Sequence, residues 1–244
     1  MSDAPTILVI SAHAADFCSR SGGTLAKYVK AGSEAQVIDL TYGERGESYG
    51  LWRKNMDMDV EEVKRIRRGE AERAAAILGV KIDFLDWGDH PLVIDHERKL
   101  ALVDLIRKIG PQFVLTHWAP DLSYPDHHVT GEAVVQACQL VGALGLKLTY
   151  PPIPSPQVLY FEATYPNSEL TAFSPNTYID ITDVFDQKIE ALRELAATQV
   201  PILEYYTSSA IRRGQQAREY SGKREIVYAE AYVRLFPWAG QFFP

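Results

Sequence analysis

Short apolar runs alternate with longer amphipathic stretches along most of the chain. Runs rich in β-branched residues predict strands, and stretches with apolar residues at helical spacing predict helices. The predicted strands are residues 6–11, 35–40, 81–85, 113–116, 158–161 and 178–181. The predicted helices are residues 24–30, 60–78, 99–109, 129–141 and 184–197. This alternation predicts an α/β fold in which helices cover both faces of a mainly parallel sheet.

Two segments interrupt the alternation. Residues 19–23, Ser-Arg-Ser-Gly-Gly, are predicted as a loop between the first strand and the first helix. The prolines of residues 151–156 predict a stiff connector. No repeat or biased segment divides the chain. The sequence therefore predicts one domain, residues 1–244, with a three-layer, Rossmann-like architecture.

Polar and ionisable residues follow several of the predicted strands. In open parallel sheets, ligands bind beyond the carboxyl ends of the strands. We therefore expect one crevice to be lined by residues that each follow a strand, namely His13, Asp16, Glu44, Glu47, His90 and His127.

Composition narrows the classes of function. The net charge of −7 disfavours binding to nucleic acid, since phosphate backbones attract basic surfaces. The two cysteines lie far apart in sequence, which disfavours a disulfide framework or a zinc ribbon. No apolar run reaches the ~20 residues that a bilayer crossing requires. We expect a cytoplasmic protein without a membrane partner, and the sequence leaves homo-oligomerisation open.

The residue types after the strands suit a metal ion. Imidazole and carboxylate groups are zinc ligands, and a catalytic zinc usually has three protein ligands and one open position. His13, Asp16 and His127 form such a set. A lone histidine after a strand is more often without special function, but the nearby Asp16 and the distant Asp126-His127 pair favour a metal site. Asp126 itself is either a hydrogen-bond partner of a site histidine or a turn residue after Pro125.

Several motifs resemble those of the LmbE/PIG-L metal-dependent N-deacetylases. Ala-His-Ala-Ala-Asp at 12–16 is similar to the family's Ala-His-Pro-Asp-Asp-Glu, and Tyr-Pro-Asp-His at 124–127 is similar to its His-Pro-Asp-His. Further matches are Gly-Glu-Arg-Gly-Glu at 43–47, Arg-Arg-Gly-Glu at 67–70, Thr-Gly-Glu at 130–132 and Tyr-Ala-Glu-Ala at 228–231. The resemblance implies a zinc site on His13, Asp16 and His127.

Two departures from the family pattern bear on the reaction. The family's usual general base is replaced by Ala15, and the histidine thought to assist as an acid is replaced by Tyr124. Amide hydrolysis needs both proton transfers, and loss of such a group typically costs ~10²–10⁴-fold in rate. Ordinary deacetylation is therefore disfavoured.

A narrower group shares these departures. Ala-Ala-Asp-Phe at 14–17, Leu-Trp-Arg-Lys at 51–54, Glu-Tyr-Tyr-Thr at 204–207 and the Arg-Gly-x-Gln-Ala stretch at 213–217 resemble the LmbE-type zinc-dependent 4-oxalomesaconate hydratases. The resemblance implies water addition to a carbon–carbon double bond, giving 4-carboxy-4-hydroxy-2-oxoadipate in gallate and protocatechuate breakdown. The alternatives are a zinc N-deacetylase with an atypical base and a relative without catalytic activity.

Roles for the remaining candidates follow from this reaction. Glu47 is the first candidate for proton transfer, followed by Glu44, Tyr124 and His90, although a solvated turn is the alternative for the two glutamates. A tricarboxylate substrate needs cationic partners, and arginine binds carboxylates through paired hydrogen bonds. The candidates for substrate binding are Arg67, Arg213, Arg53 and His90. The sequence does not separate Zn²⁺ from Fe²⁺ or Mn²⁺.

Overall fold

The computed structural model describes residues 4–122, 124–164, 167–198 and 200–237. The two ends of the predicted 1–244 domain lie outside this part of the chain. The strands of its sheet are β1 (Ile7–Ser11), β2 (Ala35–Asp39), β3 (Lys81–Phe84), β4 (Phe113–His117), β5 (Gln157–Phe161), β6 (Thr177–Asp180) and β7 (Ala229–Arg234). Their order across the sheet is β3-β2-β1-β4-β5-β7-β6. The five strands from β3 to β5 are parallel, and β7 is antiparallel to both of its neighbours.

Helices cover both faces of the sheet. They are α1 (Asp16–Lys30), α2 (Tyr49–Trp52), α3 (Val60–Leu78), α4 (His96–Ile109), α5 (Pro125–Leu140), α6 (Asn167–Leu170), α7 (Phe185–Glu194) and α8 (Leu203–Ser221). Helices α1, α3 and α7 pack together, and α4 packs against α5. These three layers confirm the predicted α/β architecture.

The central strand β1 shows how both faces are used. Ile7 and Val9 belong to one hydrophobic core, whereas Leu8 and Ile10 belong to the other. All four side chains are buried, because alternate residues of a strand point to opposite faces and both faces carry helices. This explains why the strand is a continuous apolar run in the sequence.

The predicted loop at residues 19–23 is wrong, because α1 runs through it. Glycine disfavours a helix interior, but here it permits close packing. A Cβ at Gly23 would lie 2.6 Å from the Ile181 Cδ1 atom. The backbone N–H of Gly23 donates to Glu230 at 2.9 Å, and Lys188 donates to the Ser19 carbonyl at 3.1 Å. Tertiary contacts thus provide partners for a helix segment that has weak intrinsic propensity.

The sequence pattern also missed α8 and β7. Helix α8 contains Gly214, where a Cβ would lie 2.1 Å from the Val227 carbonyl oxygen, so the chain leading into β7 crosses directly over the helix. Strand β7 contains Glu230, which is 5% exposed and forms an ion pair with Lys188 at 2.6 Å. A buried charge inside a strand hides the apolar pattern that predicts strands.

Two expectations about composition can be compared with the fold. Cys18 and Cys138 are free and buried in different cores, so the absence of a disulfide between them is confirmed. Burial raises the pKa of both thiols to about 12, which leaves them unreactive near neutral pH. Among the described residues, no helix has both the length and the apolar composition needed to cross a bilayer.

Candidate metal centre and adjoining cavity

The sheet topology brings the three predicted ligands together. His13 follows β1, and Asp16 is the first residue of α1. His127 lies in the first turn of α5, which follows β4. Because β1 and β4 are adjacent and parallel, their carboxyl ends meet at the same edge of the sheet. The strand order therefore places residues that are far apart in sequence around one point.

Three ligand atoms form a compact triangle, which we call the metal triangle (His13, Asp16 and His127). The His13 Nδ1 atom lies 3.2 Å from Asp16 Oδ2 and 3.3 Å from His127 Nε2, and the third side measures 3.5 Å. Ligand atoms about 2.0–2.1 Å from a tetrahedral zinc lie roughly 3.3 Å from one another. The residues present therefore fit a metal of this size.

Two aspartates orient the imidazole rings. His127 Nδ1 lies 2.8 Å from Asp121 Oδ2, and His13 Nε2 lies 3.2 Å from Asp126 Oδ2. Asp126 also accepts hydrogen bonds from the backbone N–H groups of His90 and Leu92. Metal-binding histidines usually donate their second ring N–H to such a group. Asp126 is thus a hydrogen-bond partner of a site histidine, which was one of the two alternatives left open by the sequence.

The electrostatics of the metal triangle favour a cation. Burial lowers the pKa of His13, but the carboxylates of Glu47, Asp126 and Asp16 outweigh it and raise that pKa well above its usual value. Burial also opposes ionisation of Asp16, yet His127 and His117 hold its pKa well below the usual range. A buried, carboxylate-rich site of this kind binds positive charge, either protons or a metal ion.

His117 is a neighbour of the metal triangle with a different role. Its Nε2 atom accepts the backbone N–H of Ala12 at 2.9 Å, and its ring stacks on His127 with a centroid distance of 4.0 Å. Burial and the adjacent His127 lower its pKa to about 3. His117 is therefore a neutral, hydrogen-bonded histidine that packs against a ligand.

Glu47 lies beside the metal triangle. One carboxylate oxygen, Oε1, is 3.6 Å from His13 Nδ1, and the other, Oε2, is 3.6 Å from Arg67 Nη2. Neither Glu47 Oε2 nor Arg67 Nη2 has a hydrogen-bond partner in the structure. Arg67 is buried, and its other nitrogens donate to the Tyr42 carbonyl, Glu70 and Thr198. The Arg67 side chain is thus fixed by these three partners, and its Nη2 atom is left to pair with the Glu47 carboxylate.

A cavity of about 470 Å³, the adjoining cavity, opens next to Glu47. This volume is in the range of sites for small molecules. Of the predicted residues, Glu47, Tyr124 and Arg53 line it. The Tyr124 ring lies 5.2 Å from the His127 ring, so Tyr124 borders both the cavity and the metal triangle. Burial, with Glu47 and Asp16 nearby, raises the pKa of Tyr124, which keeps its hydroxyl protonated.

Four residues predicted for catalysis or substrate binding do not line this cavity, and Arg67, which contacts Glu47 from behind, is one of them. Glu44 is fully buried, and its carboxylate accepts hydrogen bonds from Arg45 and from the Asp89 N–H; burial raises its pKa. Arg213 donates to Glu162 and Gln216. His90 has an exposed side chain, and a Cβ at Gly46 would lie 2.9 Å from its ring nitrogen. The structure therefore places Glu47, Tyr124 and Arg53 on the cavity wall, whereas Glu44, Arg67, Arg213 and His90 do not line it.

Sequence reasoning missed two residues of the cavity wall, Arg20 and Tyr206. Arg20 lies one helical turn after Asp16 on α1, with its Nε atom 3.9 Å from Asp16 Oδ1. The i, i+4 spacing from a metal ligand was the available signal, but the predicted loop at 19–23 concealed it. Tyr206 comes from α8, for which no helix was predicted.

The chain is similar to several known proteins. Residues 8–138 match the family model described as PIG-L: GlcNAc-PI de-N-acetylase. The chain is 40% identical over 233 residues to the 4-oxalmesaconate hydratase of Pseudomonas putida, covering 94% of this chain and 89% of the relative. It is also 30% identical to the diacetylchitobiose deacetylase of Thermococcus kodakarensis, covering 78% of this chain and 69% of the relative.

Among solved structures, the chain is similar to GalB, the 4-carboxy-2-hydroxymuconate hydratase from Pseudomonas putida KT2440. The TM-score is 0.92 and the identity 38%, with 98% of this chain and 100% of that chain covered. The similarity thus extends over nearly the whole chain, including the late elements α8 and β7.

Proposed function

The chain belongs to the PIG-L/LmbE family, and from that premise we propose that it is a metal-dependent hydratase, a hydro-lyase that adds water to 4-oxalomesaconate. The product is 4-carboxy-4-hydroxy-2-oxoadipate. The observation that carries the proposal is the position of Glu47, whose carboxylate borders both the metal triangle and the adjoining cavity. The similarity in sequence and in structure to the hydratase of Pseudomonas putida, over nearly the whole chain, supports the substrate.

His13, Asp16 and His127 would hold the metal ion, and zinc is the ion we propose, because the ligand types and spacings fit it. When bound, such an ion supplies Lewis acidity toward an oxygen of the substrate. Asp121 and Asp126 fix the two imidazole rings, so that the nitrogens of the triangle stay directed at its centre.

Hydration needs two proton movements and no leaving group. Glu47 takes a proton from the water molecule whose oxygen forms a bond to one carbon of the double bond. A proton is then added to the other carbon of the double bond, so that the product has gained one water molecule. Arg67 holds the second Glu47 oxygen at 3.6 Å and keeps the carboxylate oriented. Tyr124 is the candidate donor of the proton that is added to the second carbon, because its hydroxyl stays protonated and its side chain lines the same cavity.

The deacetylase alternative rests on the family model and on the diacetylchitobiose deacetylase relative. By resemblance to the family, a deacetylase would need a general base at position 15. Here Ala15 is fully buried in the hydrophobic core beside Ala14 and Phe17. An alanine methyl cannot accept a proton, so the atoms that would assist amide hydrolysis are absent at this position. The proposed hydratase uses Glu47 as its base and needs no proton acceptor at position 15.

The proposal also gives a biological setting. A hydratase of this substrate acts in the breakdown of gallate and protocatechuate, and we place the protein in that process. Two buried thiols and a small anionic substrate accord with the expected cytoplasmic location, which stays a prediction. The absence of a nucleic-acid partner and the oligomeric state stay predictions as well.

An ultraviolet assay tests the proposal. Purified, zinc-loaded protein is mixed with 4-oxalomesaconate, and loss of the conjugated chromophore is followed with and without a chelator. We expect metal-dependent loss of absorbance and a fall of ~10²–10⁴-fold in kcat for Glu47→Gln. Glu72→Gln, which changes a surface carboxylate paired with Arg68, is the matched control. An unchanged chromophore together with acetate release from an N-acetyl amino sugar would make the protein a deacetylase.

A further inference from the structure

The inner wall of the adjoining cavity carries a buried guanidinium that no motif assigned. Arg20 lines the cavity together with Glu47 and Tyr124. Its side chain is only 7% exposed. An arginine cannot lose its charge in a protein, so a buried arginine needs partners for that charge and for five N–H donors. The partners of Arg20 therefore indicate what the cavity is built to bind.

Two hydrogen bonds fix the end of the side chain. Nη1 donates to the Glu162 carbonyl at 3.1 Å, and Nη2 donates to the Thr164 hydroxyl at 2.6 Å. Both partners follow β5, whereas Arg20 itself belongs to α1. The guanidinium is thus held from two elements, and little side-chain freedom remains to be lost when a ligand binds.

These contacts do not neutralise the charge. Both hydrogen-bond partners are uncharged oxygens, and the Nε atom is buried without a hydrogen-bond partner. The ion pair assigned to Arg20 is with Asp16, whose Oδ1 atom lies 3.9 Å from Nε and is beyond hydrogen-bond distance. The carboxylate of Glu162 instead pairs with Arg212 and Arg213. Nη1 and Nη2 each carry a second N–H group, so Arg20, which lines the cavity, keeps donors for a ligand there, whereas the buried Nε atom lies toward Asp16.

The other candidate cations differ from Arg20. Arg213 has all three of its nitrogens bonded to Glu162 and Gln216. Arg67 is directed at Glu47. Arg53 lines the cavity but is exposed, with its guanidinium over the Tyr49 ring. Among the side chains described as lining this cavity, Arg20 is the buried cation with an unsatisfied donor.

We propose that Arg20 binds a carboxylate group of the substrate and makes the site selective for tricarboxylates. The inference rests on the proposed hydratase function and deepens it. The metal ion and Arg67 offset the carboxylates of Asp16 and Glu47, so the three carboxylates that the substrate itself brings need a further cation. A fixed guanidinium offers a carboxylate charge-assisted hydrogen bonds of high strength.

The competing explanation is that Arg20 only positions Asp16 and has no contact with substrate. The two roles predict different results. A positioning role would change the metal content or kcat, because Asp16 belongs to the metal triangle. A binding role changes KM and the affinity for unreactive tricarboxylates, while the metal content stays the same.

The experiment compares Arg20→Met and Arg20→Lys with the parent and with Arg65→Met, a control that removes a surface arginine paired with Glu62. For each protein, metal content is measured by elemental analysis, and binding of propane-1,2,3-tricarboxylate is measured by calorimetry. KM and kcat are measured with 4-oxalomesaconate and with 2-hydroxymuconate, which lacks the carboxylate on carbon 4.

We expect Arg20→Met to weaken tricarboxylate binding and raise KM by roughly 10–100-fold, with metal content unchanged. Preference for the tricarboxylate over the dicarboxylate substrate should fall with it. Arg20→Lys should lie between the parent and Arg20→Met, because it keeps the charge but loses the planar fork. Should Arg20→Met fail to fold, Arg20→Lys alone gives the same comparison with a smaller shift.

Other outcomes overturn the inference. Tricarboxylate affinity and KM within twofold of the parent in the arginine variants would exclude substrate binding by Arg20, as would lost metal with unchanged affinity. If the parent binds the tricarboxylate in an Arg20-dependent manner but leaves the chromophore of 4-oxalomesaconate unchanged, the anion site stands and the hydratase function fails. If the parent neither binds nor hydrates, both proposals are wrong.

Discussion

The metal triangle and the wall of the adjoining cavity are built in different ways. The triangle comes from the turn and helix start after β1 and from the first turn of α5, the helix that follows β4. The wall is assembled from the interior of α1, the loop after β5 and the late helix α8. Ligands at strand ends are held by the sheet itself, whereas the wall depends on how separate helices pack.

This difference separates chemistry from selectivity. The geometry of the metal triangle follows from two adjacent parallel strands, and a protein with that pair of strands retains it while other elements change. Arg20, Thr164 and Tyr206 come from three different elements, and those of Thr164 and Tyr206 carry no metal ligand, so substitutions there alter the cavity without moving the metal ligands. Hydratases and deacetylases in one family are expected to differ mainly in such a wall and in proton-transfer residues such as the one at position 15.

The sharpest test of this comparison is a variant in the metal triangle. In Asp16→Asn, we expect loss of bound metal and a fall of at least ~10³-fold in kcat/KM, since a Lewis acid contributes several kcal/mol to transition-state stabilisation. Elemental analysis and the ultraviolet assay measure the two effects. Asp57→Asn, a surface substitution, should match the parent. Full activity in Asp16→Asn with no metal bound would contradict the assignment of the triangle.

The packing of α1 against α7 and β7, which supports the interior of α1, depends on a buried ion pair. Lys188 and Glu230 form a buried ion pair at 2.6 Å, and Glu230 also accepts the N–H groups of Gly23 and Thr24. In Lys188→Met the carboxylate keeps its burial but loses its cation, and removing one partner of such a pair costs about 3–5 kcal/mol. We expect this decrease in the free energy of unfolding by urea denaturation.

A matched control shows whether burial is the cause. Arg65→Met removes an exposed partner of Glu62, and such surface pairs are worth about 0–1 kcal/mol. A loss of stability in Lys188→Met no larger than in Arg65→Met would show that the pair does not secure α1 against β7. The metal affinity of the folded Lys188→Met protein should stay close to that of the parent, because the metal triangle depends on β1 and β4.

The difference between the metal triangle and the cavity wall also explains which site residues the sequence could predict. His13, Asp16 and His127 follow apolar runs that read clearly as strands, and topology rules then place them together. Arg20 was missed because Gly22 and Gly23 are a loop signal by propensity, and only the contact with Ile181 shows why glycine is needed inside the helix. Tertiary contacts of this kind leave no local trace in one sequence.

The glutamates illustrate a second limit. Glu44 and Glu47 lie in one glycine-bounded motif and are chemically equivalent in sequence. In the structure, Glu47 borders the metal triangle, while Glu44 accepts hydrogen bonds from Arg45 and the Asp89 N–H. The direction of each side chain depends on the turn between them and on the loop that carries Asp89. Sequence identified the motif, and the fold separated the two roles.

A smaller effect is expected for the aspartates around the metal triangle. Asp121 lies 2.8 Å from His127 Nδ1 and orients that ring. In Asp121→Asn, we expect metal affinity to fall by roughly 10–100-fold, the usual effect of losing an outer partner of a metal-bound histidine. Competition with a chromophoric chelator measures it. An unchanged metal affinity would show that Asp121 is not needed to fix the His127 ring. The helix α5 and the stacked His117 ring would then be its supports.

The smallest effect belongs to the far end of α1, which is remote from the metal ligands in sequence. Lys27 and Lys30 contact Asp183 at 2.8 and 3.0 Å, and their hydrogen bonds lower the pKa of this carboxyl to about 2. Since the folded pKa lies below the unfolded one, the stabilisation is present above pH ~4 and is lost as pH falls toward about 2.

Solvent weakens this contribution, because Asp183 and both lysines are substantially exposed. We therefore expect Asp183→Asn to lower the free energy of unfolding by less than about 1 kcal/mol at neutral pH, with the difference from the parent shrinking at high salt and below pH ~3. Urea denaturation at several pH values and salt concentrations measures it. A difference that grows as pH falls would have the wrong sign for a carboxyl stabilised in its ionised form. Such a result would mean that the C-terminal end of α1 is not held by the ion pairs with Asp183. Burial would then be the main support of α1 at this end, as it is at the end that begins with Asp16.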